Sequence, residues 1–521
     1  MFDLVIRNGT VIDGNRTPRY RADVGICGDR ITAVGDLASA QAQQTIDATG
    51  KIVAPGAIDV HTHADGWLLK QPHFVSKTTQ GVTTEIIMAD GISYAPVRQH
   101  NVEDWLYYLR PLDGLRLDEY LGWESVRDYL DLLDRHTAQN VAAYVPFANV
   151  RVNAIGFRRA PPDDFEMRLM VREMRQELEA GAVGISTGLD YIAQCFSGTD
   201  EIVDACVPMA ETGGVYVTHV RYKRGVFNGI REAVEIGKRA GVPVHISHLK
   251  GGLPADCEKL LHYIDTVARH EVSFTFDVYP YQCGSTMLNY VLPSEVWEDG
   301  PLGVLPKLRD PIIRSRVAAG LDAYKASLDQ MRIAWVLSRE NEHWQGHTLE
   351  EYVQHVGLPP ADAICQLLIE ERMGVLMVVD EGADPLVHPM MRHELCMLGS
   401  DGIFAPGVVH PRQFGSVPRW LGPCVREHKL FTLEEAVYKT SGFAASRYGL
   451  KDRGRIGGDC FADVMVFDAD TIADRATYED PQQYCTGIEH VLVNGVPVIS
   501  NGAPVEDLGP ELPGRALRFN A

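Results

Sequence analysis

The stretch IDVHTHADG, residues 58–66, places two histidines one residue apart at the end of an apolar run. If this run is a strand, side chains at positions i and i+2 share a face, so His61 and His63 point the same way. Two imidazole nitrogens aimed at one point suit a transition metal. Because the chain contains 18 histidines, one such pair can arise by chance, and the metal interpretation needs partners elsewhere.

Seven further strand-like apolar runs follow, with helical patterns between them. Together with the first, the runs are 58–63, 83–90, 140–147, 181–187, 213–220, 242–249, 272–281 and 394–401. Intervening segments such as EMRLMVREMRQELEAG and GIREAVEIGKRAG end in glycine, which is a helix-stop signal. Eight strands separated by helices predict an α/β protein with a parallel (β/α)8 barrel. About 110 residues separate the last two runs, which predicts an insert at about 282–393 that forms a subdomain or lid.

Both chain ends are β-rich. The segments LVIRNGTVI (4–12) and VLVNGVPVI (491–499) are short apolar strands around Asn-Gly, which is a strong hairpin signal. The run ADVMVFD (462–468) is a third strand candidate. We expect the two ends to fold together as one small β-domain, made of 1–55 and 451–521, around a barrel over 56–450.

Bulk composition narrows the possible partners. Of the 521 residues, 45% are hydrophobic and 23% are charged, which is ordinary for a soluble globular protein. The net charge of −21 argues against nucleic-acid or anionic-membrane partners, although a local basic pocket can still bind a small anionic substrate. A homo-oligomer remains possible.

Targeting signals and cysteine spacing favour the cytoplasm. The N-terminus MFDLVIRNGTVIDG lacks a basic leader followed by a long apolar core, so we expect no secretory signal. No apolar stretch approaches the length of a transmembrane helix. Ten scattered cysteines without a CxxC pair indicate reduced thiols in a cytoplasmic protein.

Further metal-ligand candidates stand near the ends of later strands, where a barrel places its chemistry. His219 lies in THVR, His248 lies in SHLK, and Asp401 follows LGS. With the first histidine pair, these residues would meet at one barrel mouth, which favours a metal site. By strand alternation, His245 falls on the face opposite His248, so we expect it to pack toward the helices and exclude it as a ligand.

These motifs resemble the amidohydrolase superfamily and, more closely, the N-acyl-D-amino-acid deacylase (D-aminoacylase) family. The matching segments run through most of the chain: FDLVIRNGTVIDG, PGAIDVHTH, QGVTT, GAVGISTG, GGVYVTH, PVHISHLK, DVYPYQCGST, GSDG and HPRQFGSVPR. The resemblance implies a TIM-like barrel, a β-sandwich made from both termini, and a site for one or two zinc ions. It assigns His61, His63 and Asp401 to one metal position and His219 with His248 to the other.

The implied chemistry is hydrolysis of an amide. Zinc lowers the pKa of a bound water toward 7 and polarises the carbonyl, and Asp401 is the expected general base. The alternative for Asp401 is a turn residue before Gly402. The resemblance also implies that the substrate carboxylate is held by basic and hydroxyl side chains, for which the candidates are Lys250, Tyr281, Ser285, Arg412 and Arg221. We interpret Lys223 and Arg224 as surface residues that line the rim or face water.

Two positions depart from the family pattern. Asp90 stands where the family carries a cysteine that bridges or supports the metal centre. A carboxylate can also bridge two metals, and as a harder donor it can shift the preference to other divalent ions; alternatively, Asp-Gly merely closes the strand. The segment THVRYKRG is basic where family members usually carry an acidic residue soon after the arginine, so the surroundings of Arg221 are expected to differ.

Three functions compete. The first is metal-dependent hydrolysis of N-acyl-D-amino acids to a D-amino acid and a carboxylate. The second is hydrolysis of a cyclic amide, imide or lactone, motivated by the two departures. The third, a non-catalytic scaffold, is disfavoured by the intact histidine and aspartate motifs.

Overall fold

The computed structural model describes residues 1–519 except 323 and 325. Within that part of the chain, eight parallel strands pair in chain order, the third of them interrupted at Tyr144. They are Ala57–Asp59, Val82–Ile87, Asn140–Ala143 with Val145–Pro146, Gly184–Gly188, Val215–His219, Val244–Ile246, Phe274–Val278 and Cys396–Leu398.

The two ends of this ladder meet. Gly402–Ile403 pairs in parallel with Thr62–His63, and the Asp401 N–H donates to the His61 carbonyl at 2.8 Å. The strands therefore close into the predicted (β/α)8 barrel, and this closure joins the chain beside the histidine pair to the chain beside Asp401.

Helices follow most barrel strands and cover the outside. They are Asp65–Lys70, Val75–Thr78, Val102–Tyr108, Val126–Leu133, Phe147–Ile155, Asp164–Glu179, Thr199–Thr212, Val226–Ala240, Pro254–Tyr263, Arg269–Glu271, Arg412–Leu421, Pro423–Arg426, Leu433–Thr440 and Gly442–Arg447. Local sequence explains their limits. The Asp163 side chain accepts the N–H groups of Phe165 and Glu166 at the start of one helix, and Gly241, in a left-handed conformation, ends another.

The insert between the last two barrel strands has its own small sheet. Its strands Gly284–Met287 and Met331–Val336 both pair antiparallel with Val375–Val379. The insert helices are Val304–Lys307, Pro311–Asp322, Leu349–Val356, Pro360–Glu370 and His388–Arg392. An insert between the seventh and eighth strands is therefore present as predicted, while its bounds at about 282–393 stay a prediction.

Strands from both chain ends form two further sheets. In the larger sheet the order is Ala503–Pro504, Val496–Ser500, Ile488–Val493, Val464–Phe467, Ile52–Pro55, Thr10–Val11 and Tyr20–Arg21; in the smaller it is Arg30–Gly35, Asp23–Cys27, Phe2–Arg7 and Ala42–Asp47. Buried apolar side chains from both sheets, including Ile6, Val24, Val53 and Val464, share one core. The ends therefore fold together as predicted, while the exact residue boundaries of the domains stay a prediction.

The last described residues leave these sheets. The Leu517 N–H donates to the Val141 carbonyl at 2.7 Å, and the Phe519 N–H donates to the Gly181 carbonyl at 2.8 Å. This tail therefore lies against the barrel, although the sequence suggested that all of 451–521 belongs with the terminal strands.

Two whole-chain expectations concern membranes and thiols. Among the described residues, no helix combines the length and apolar character needed to cross a membrane. Each of the ten cysteines, all within the described part, is a free thiol, as the absence of paired spacing predicted.

Candidate metal centre

Six predicted ligands converge at the mouth of the barrel, and each is less than a tenth exposed. They come from the ends of five strands: His61 and His63 from the first, Asp90 from the second, His219 from the fifth, His248 from the sixth, and Asp401 from the eighth. Residues up to 340 positions apart in sequence are thus neighbours because parallel strands end at the same rim.

The first histidine pair faces two carboxylates. His61 Nε2 lies 3.6 Å from Asp90 Oδ1 and 3.6 Å from Asp401 Oδ1. His63 Nε2 lies 3.2 Å from Asp401 Oδ1 and 3.6 Å from Asp90 Oδ2. This is the side of the site where the sequence resemblance grouped His61, His63 and Asp401.

The second pair faces the same Asp90 carboxylate. His219 Nδ1 lies 3.0 Å from His248 Nε2, and each nitrogen is 3.8 Å from Asp90 Oδ2. Asp90 therefore lies between the two histidine pairs, with its carboxylate turned into the cluster, and its role as a ligand stays a prediction.

The donor set fits divalent metal ions. Three overlapping groups of these residues could each hold an ion, and each contains histidine and a carboxylate. Within each group the ligand atoms lie within 4.8 Å of one another. The edge of a tetrahedron of zinc ligands is about 3.3 Å, close to the separations above. Among the described residues, His61 Nε2 and Asp90 Oδ1 are buried without a hydrogen-bond partner, and such orphaned atoms are costly unless something binds them.

Charge in the site also favours cations. Burial alone would lower the pKa of His63, but hydrogen bonds to Asp401 and Asp90 outweigh it and raise the pKa to about 10. Burial would raise the pKa of Asp401, but the charges of Arg412 and His61 outweigh it and hold the pKa of that carboxyl well below its usual range. The raised pKa of His63 reflects the negative charge of two carboxylates beside the imidazole, and the lowered pKa of Asp401 keeps that carboxylate ionised, so that both carboxylates can bind a cation.

Several ligands sit on strained backbone. Asp90 has φ 56°, Asp401 has φ 49° and His248 has φ 37°, all in the left-handed region that non-glycine residues seldom adopt. Asp65 helps to hold the first of these, because its Oδ1 accepts both the Met88 N–H at 3.1 Å and the Ser93 hydroxyl at 2.5 Å. Strain of this kind concentrates at functional sites.

The expectation for His245 needs a correction. The sixth strand ends at Ile246, two residues before His248, so strand alternation does not relate the side chains of His245 and His248. His245 does not pack toward the helices: it is fully buried, with Nε2 2.8 Å from Asp277 Oδ2. It is absent from the ligand groups, so its exclusion as a ligand stands, although for a different reason.

Asp277, which the sequence analysis missed, supports two ligands at once. Its Oδ1 accepts the His248 N–H at 2.8 Å, and its Oδ2 lies 3.6 Å from His61 Nδ1. Carboxylates of this kind orient metal-binding imidazoles. Its position one residue before the end of the seventh strand was the available signal.

Asp190, which the sequence analysis also missed, contacts another candidate ligand. Its Oδ2 lies 3.5 Å from His219 Nε2.

Arg412 and Lys250 lie on the Asp401 side of the site. Arg412 Nη1 is 2.8 Å from Asp401 Oδ2, and Arg412 Nη2 donates to the Ser285 carbonyl at 3.1 Å. Lys250 Nζ donates to the Tyr279 hydroxyl at 2.8 Å and to the carbonyls of Gln282 and Cys283. The lysine thereby holds the loop after the seventh strand.

The contacts of the two tyrosines after the seventh strand favour Tyr279 over Tyr281 as the substrate-binding candidate. The Tyr281 hydroxyl donates to Asp474 Oδ2 at 3.1 Å and Arg419 covers its ring, whereas Tyr279 lies between Lys250 and Arg412, whose guanidinium is 4.5 Å from the ring centroid. Because the strand ends at Val278, Tyr279 is the first residue at the mouth and is the better candidate for the role we predicted for Tyr281.

Ser285 and Arg221 point to partners within the protein. The Ser285 hydroxyl donates to the Met377 carbonyl at 2.8 Å, so Ser285 meets Arg412 through its own carbonyl. Arg221 Nε donates to Glu232 Oε2 at 2.9 Å, and its other nitrogens donate to the carbonyls of Leu189, Cys195 and Ser197. These contacts hold the loops after the fourth and fifth strands together and leave neither side chain aimed at the ligand cluster.

Known proteins are similar to this chain in sequence and in fold. The amidohydrolase family profile matches residues 44–279 and 323–499. N-acyl-D-glutamate deacylase of Alcaligenes xylosoxydans xylosoxydans is 36% identical over 530 residues, covering 100% of this chain and 97% of that protein. D-aminoacylase of the same organism is 35% identical over 503 residues, covering 95% of this chain and 94% of that protein.

The solved structure of a related enzyme has a similar fold. The crystal structure of N-acyl-D-glutamate deacylase from Bordetella bronchiseptica, complexed with zinc and a phosphonate inhibitor, superposes with a TM-score of 0.85 at 32% identity and covers 99% of each chain. The family resemblance inferred from the motifs is confirmed, and the chain belongs to the amidohydrolase family.

Proposed function

We propose that this protein hydrolyses the amide bond of N-acyl-D-amino acids and releases the D-amino acid and a carboxylate. The observation that carries the proposal is the cluster of four imidazoles and two carboxylates with a buried arginine against one carboxylate. The relatives named N-acyl-D-glutamate deacylase and D-aminoacylase support the same reaction, on a linear amide.

Six residues would hold one or two zinc ions. By the family resemblance, His61, His63 and Asp401 would form one position and His219 with His248 the other. The distances from Asp90 to both histidine pairs support Asp90 as the ligand between them. Bound zinc supplies a Lewis acid that polarises the acyl carbonyl and makes a water molecule acidic enough to attack near neutral pH. The zinc named with the Bordetella bronchiseptica relative supports this ion, and the carboxylate at position 90 makes other divalent ions worth testing.

Asp401 would move the proton. Its carboxylate is held ionised by Arg412 and the neighbouring imidazoles, so it can accept a proton from the attacking water. It would then deliver that proton to the nitrogen of the leaving amine, since amide cleavage needs a protonated leaving group. One oxygen faces His63 and the other faces Arg412, which fixes the carboxylate for both transfers.

Arg412 would bind the carboxylate of the substrate. Its side chain is fully buried, and among the described residues its Nε finds no hydrogen-bond acceptor. An unpaired buried N–H is unfavourable until a ligand accepts from it, and a guanidinium matches a carboxylate. Tyr279 and Lys250 flank it and would help to place the same group.

The test is a zinc-supplemented assay of free amine release. Paired N-acetyl-D- and N-acetyl-L-amino acids are compared with a panel of cyclic amides, imides and lactones. We expect turnover of the D-compounds, little turnover of the L-compounds, and none of the cyclic panel. Turnover of cyclic substrates without any from the linear D-compounds would replace the proposal with the cyclic alternative.

We further propose a cytoplasmic location. The ten free thiols support it, because the cytosol keeps cysteines reduced. Fractionation of cells that express the protein tests this location.

A further inference from the structure

We propose that Lys223 binds a second carboxylate, so that the site selects N-acyl-D-amino acids whose side chain itself ends in a carboxylate. This inference rests on the proposed deacylase function and adds the substrate class to it. It also chooses between the two positions that the sequence left open for Lys223, the rim of the site and a side chain that simply faces water.

Lys223 lies close to a metal-ligand candidate. It belongs to the turn Tyr222–Arg224, which follows the strand that ends at His219. Its backbone N–H donates to Asp190 Oδ2 at 3.1 Å, and the same oxygen lies 3.5 Å from His219 Nε2. A single carboxylate therefore separates the backbone of Lys223 from the ligand cluster.

The side chain of Lys223 runs along an aromatic wall of the mouth. Its Nζ donates to the Tyr290 carbonyl at 2.6 Å and is 4.4 Å from the centroid of that ring. The Tyr290 ring centroid is 6.4 Å from that of His219 and 5.7 Å from that of Tyr191. Lys223 is exposed and Tyr290 is half-buried, so this wall lies at the rim of the site.

The ammonium of Lys223 has donors to spare, unlike that of Lys250. An ammonium offers three N–H groups. Three acceptors take those of Lys250, whereas among the described residues Lys223 Nζ donates to the Tyr290 carbonyl alone. Lys223 can therefore bind an incoming anion without breaking the contact it already makes.

The arrangement of charge fits a substrate with two carboxylates. Arg412 stands beside Asp401, and Lys223 stands on the other side of the cluster, beside His219. Asp190 accepts from the Lys223 N–H and from the Tyr290 hydroxyl at 3.0 Å, and within the described part of the chain no hydrogen bond or ion pair joins its carboxylate to the Lys223 ammonium. A substrate with one carboxylate uses Arg412 alone, and a substrate with two uses both cations.

The test compares kcat/KM for N-acetyl-D-glutamate, N-acetyl-D-aspartate and N-acetyl-D-leucine in wild type and variants. In Lys223→Gln, we expect kcat/KM for the better acidic substrate to fall about 10- to 100-fold, the usual effect of losing a charge-assisted hydrogen bond. The value for N-acetyl-D-leucine should change less than about 3-fold. Lys223→Arg, which keeps the charge, should restore most of the preference.

Arg224→Gln is the matched control. Arg224 lies in the same turn, is exposed, and has no side-chain hydrogen bond or ion pair among the described residues, so its variant should leave all three substrates unchanged. An equal loss on acidic and leucine substrates in Lys223→Gln would mean that Lys223 only supports Tyr290, and it would overturn the inference. A wild-type preference for leucine would do the same, whereas no hydrolysis of any N-acetyl-D-amino acid would overturn the deacylase function itself.

Discussion

At the scale of single residues, Asp90 combines a left-handed backbone with a carboxylate that lies between the two histidine pairs. It lies in a left-handed turn between Met88 (φ 64°) and Gly91 (φ 69°), and its two oxygens face four histidines within 3.6 to 3.8 Å. Aspartate tolerates this conformation better than most residues because its short polar side chain can bond locally. Here the turn also aims the carboxylate into the cluster.

Asp90→Ala should reduce bound metal. We expect the zinc content of the purified protein to fall by at least one ion per subunit relative to wild type, and the deacylation rate to fall at least 100-fold, because the shared ligand is lost. Metal analysis and the amine-release assay measure the two effects. Asp459→Ala is the matched control, since Asp459 is an exposed aspartate with φ 64°. Unchanged metal content in Asp90→Ala would return this residue to a turn role.

A pair of tyrosine variants tests the correction after the seventh strand. Tyr279→Phe removes the hydroxyl that accepts from Lys250, and we expect KM for an N-acyl-D-amino acid to rise about 10-fold with kcat nearly unchanged. Tyr281→Phe loses only the bond to Asp474 and should leave KM within about 2-fold of wild type. Steady-state kinetics decide between them, and a larger effect in Tyr281→Phe would support the original assignment.

At the scale of secondary-structure elements, short strands and the turns after them place the ligands. The sixth strand stops at Ile246, and Asp277 from the seventh strand then holds the His248 backbone. The outer helices are joined to one another by buried polar contacts. In Asp164–Glu179 the buried Glu177 accepts the Val126 N–H at 3.1 Å, so a carboxylate ties this helix to its neighbour away from solvent.

Glu177→Gln should make stability less dependent on pH. Burial, with the nearby charge of Glu173, raises the pKa of Glu177 to about 7. The folded-state pKa thus exceeds the unfolded value, so the unfolded chain ionises first and stability falls as pH rises from about 4.5 to 7. Glutamine does not titrate and can still accept the Val126 N–H. When the pH rises from 5 to 8, the thermal midpoint of wild type should fall by a few °C more than that of Glu177→Gln. This corresponds to a difference of about 1–3 kcal/mol in the free energy of unfolding.

Glu179→Gln provides the comparison for this prediction. Glu179 ends the same helix and is exposed. Its variant should follow the wild-type midpoint at both pH values. If Glu177→Gln also ran parallel to wild type from pH 5 to pH 8, the buried carboxylate would not titrate in this range.

At the scale of the whole molecule, the site joins distant parts of the barrel. Ligands from the first, second, fifth, sixth and eighth strands meet where the barrel closes through Asp401 and His61. A bound ion would therefore bridge elements that the unfolded chain holds far apart. Ions that bind the folded state alone raise its stability by mass action.

Removing the metal should lower thermal stability. Protein treated with a chelator and then freed of it is expected to unfold several °C below protein with zinc restored, since ligand at 100 times its Kd contributes about 2.7 kcal/mol. Scanning calorimetry or thermal-shift fluorescence measures the difference. Asp90→Ala should show a smaller difference than wild type. Identical midpoints with and without zinc in the wild type would argue against a resident ion.

Sequence patterns determined the architecture and most of the metal centre. Apolar runs alternating with glycine-terminated helices are a local property of the chain, and they suffice for a closed parallel barrel because βα units pack in one way. The ligand candidates followed because parallel strands end at one rim. Both chain ends joined in the terminal sheets for a similar reason, since their apolar faces need a partner.

Only the tertiary structure decided where individual side chains beyond the strand ends point. Alternation did not give the orientation of His245, because the strand stops at Ile246 and turn geometry takes over. Tyr281 came from the family resemblance, and only the contacts favour Tyr279, which follows the strand end at Val278. Asp277 offered only its position near a strand end as a signal, and the importance of both Asp190 and Asp277 lies in contacts with histidines on other strands. The sequence left Lys223 either at the rim of the site or facing water, and the fold sets it beside Tyr290 on the His219 side of the mouth. Contacts between distant segments depend on packing, and no local pattern encodes them.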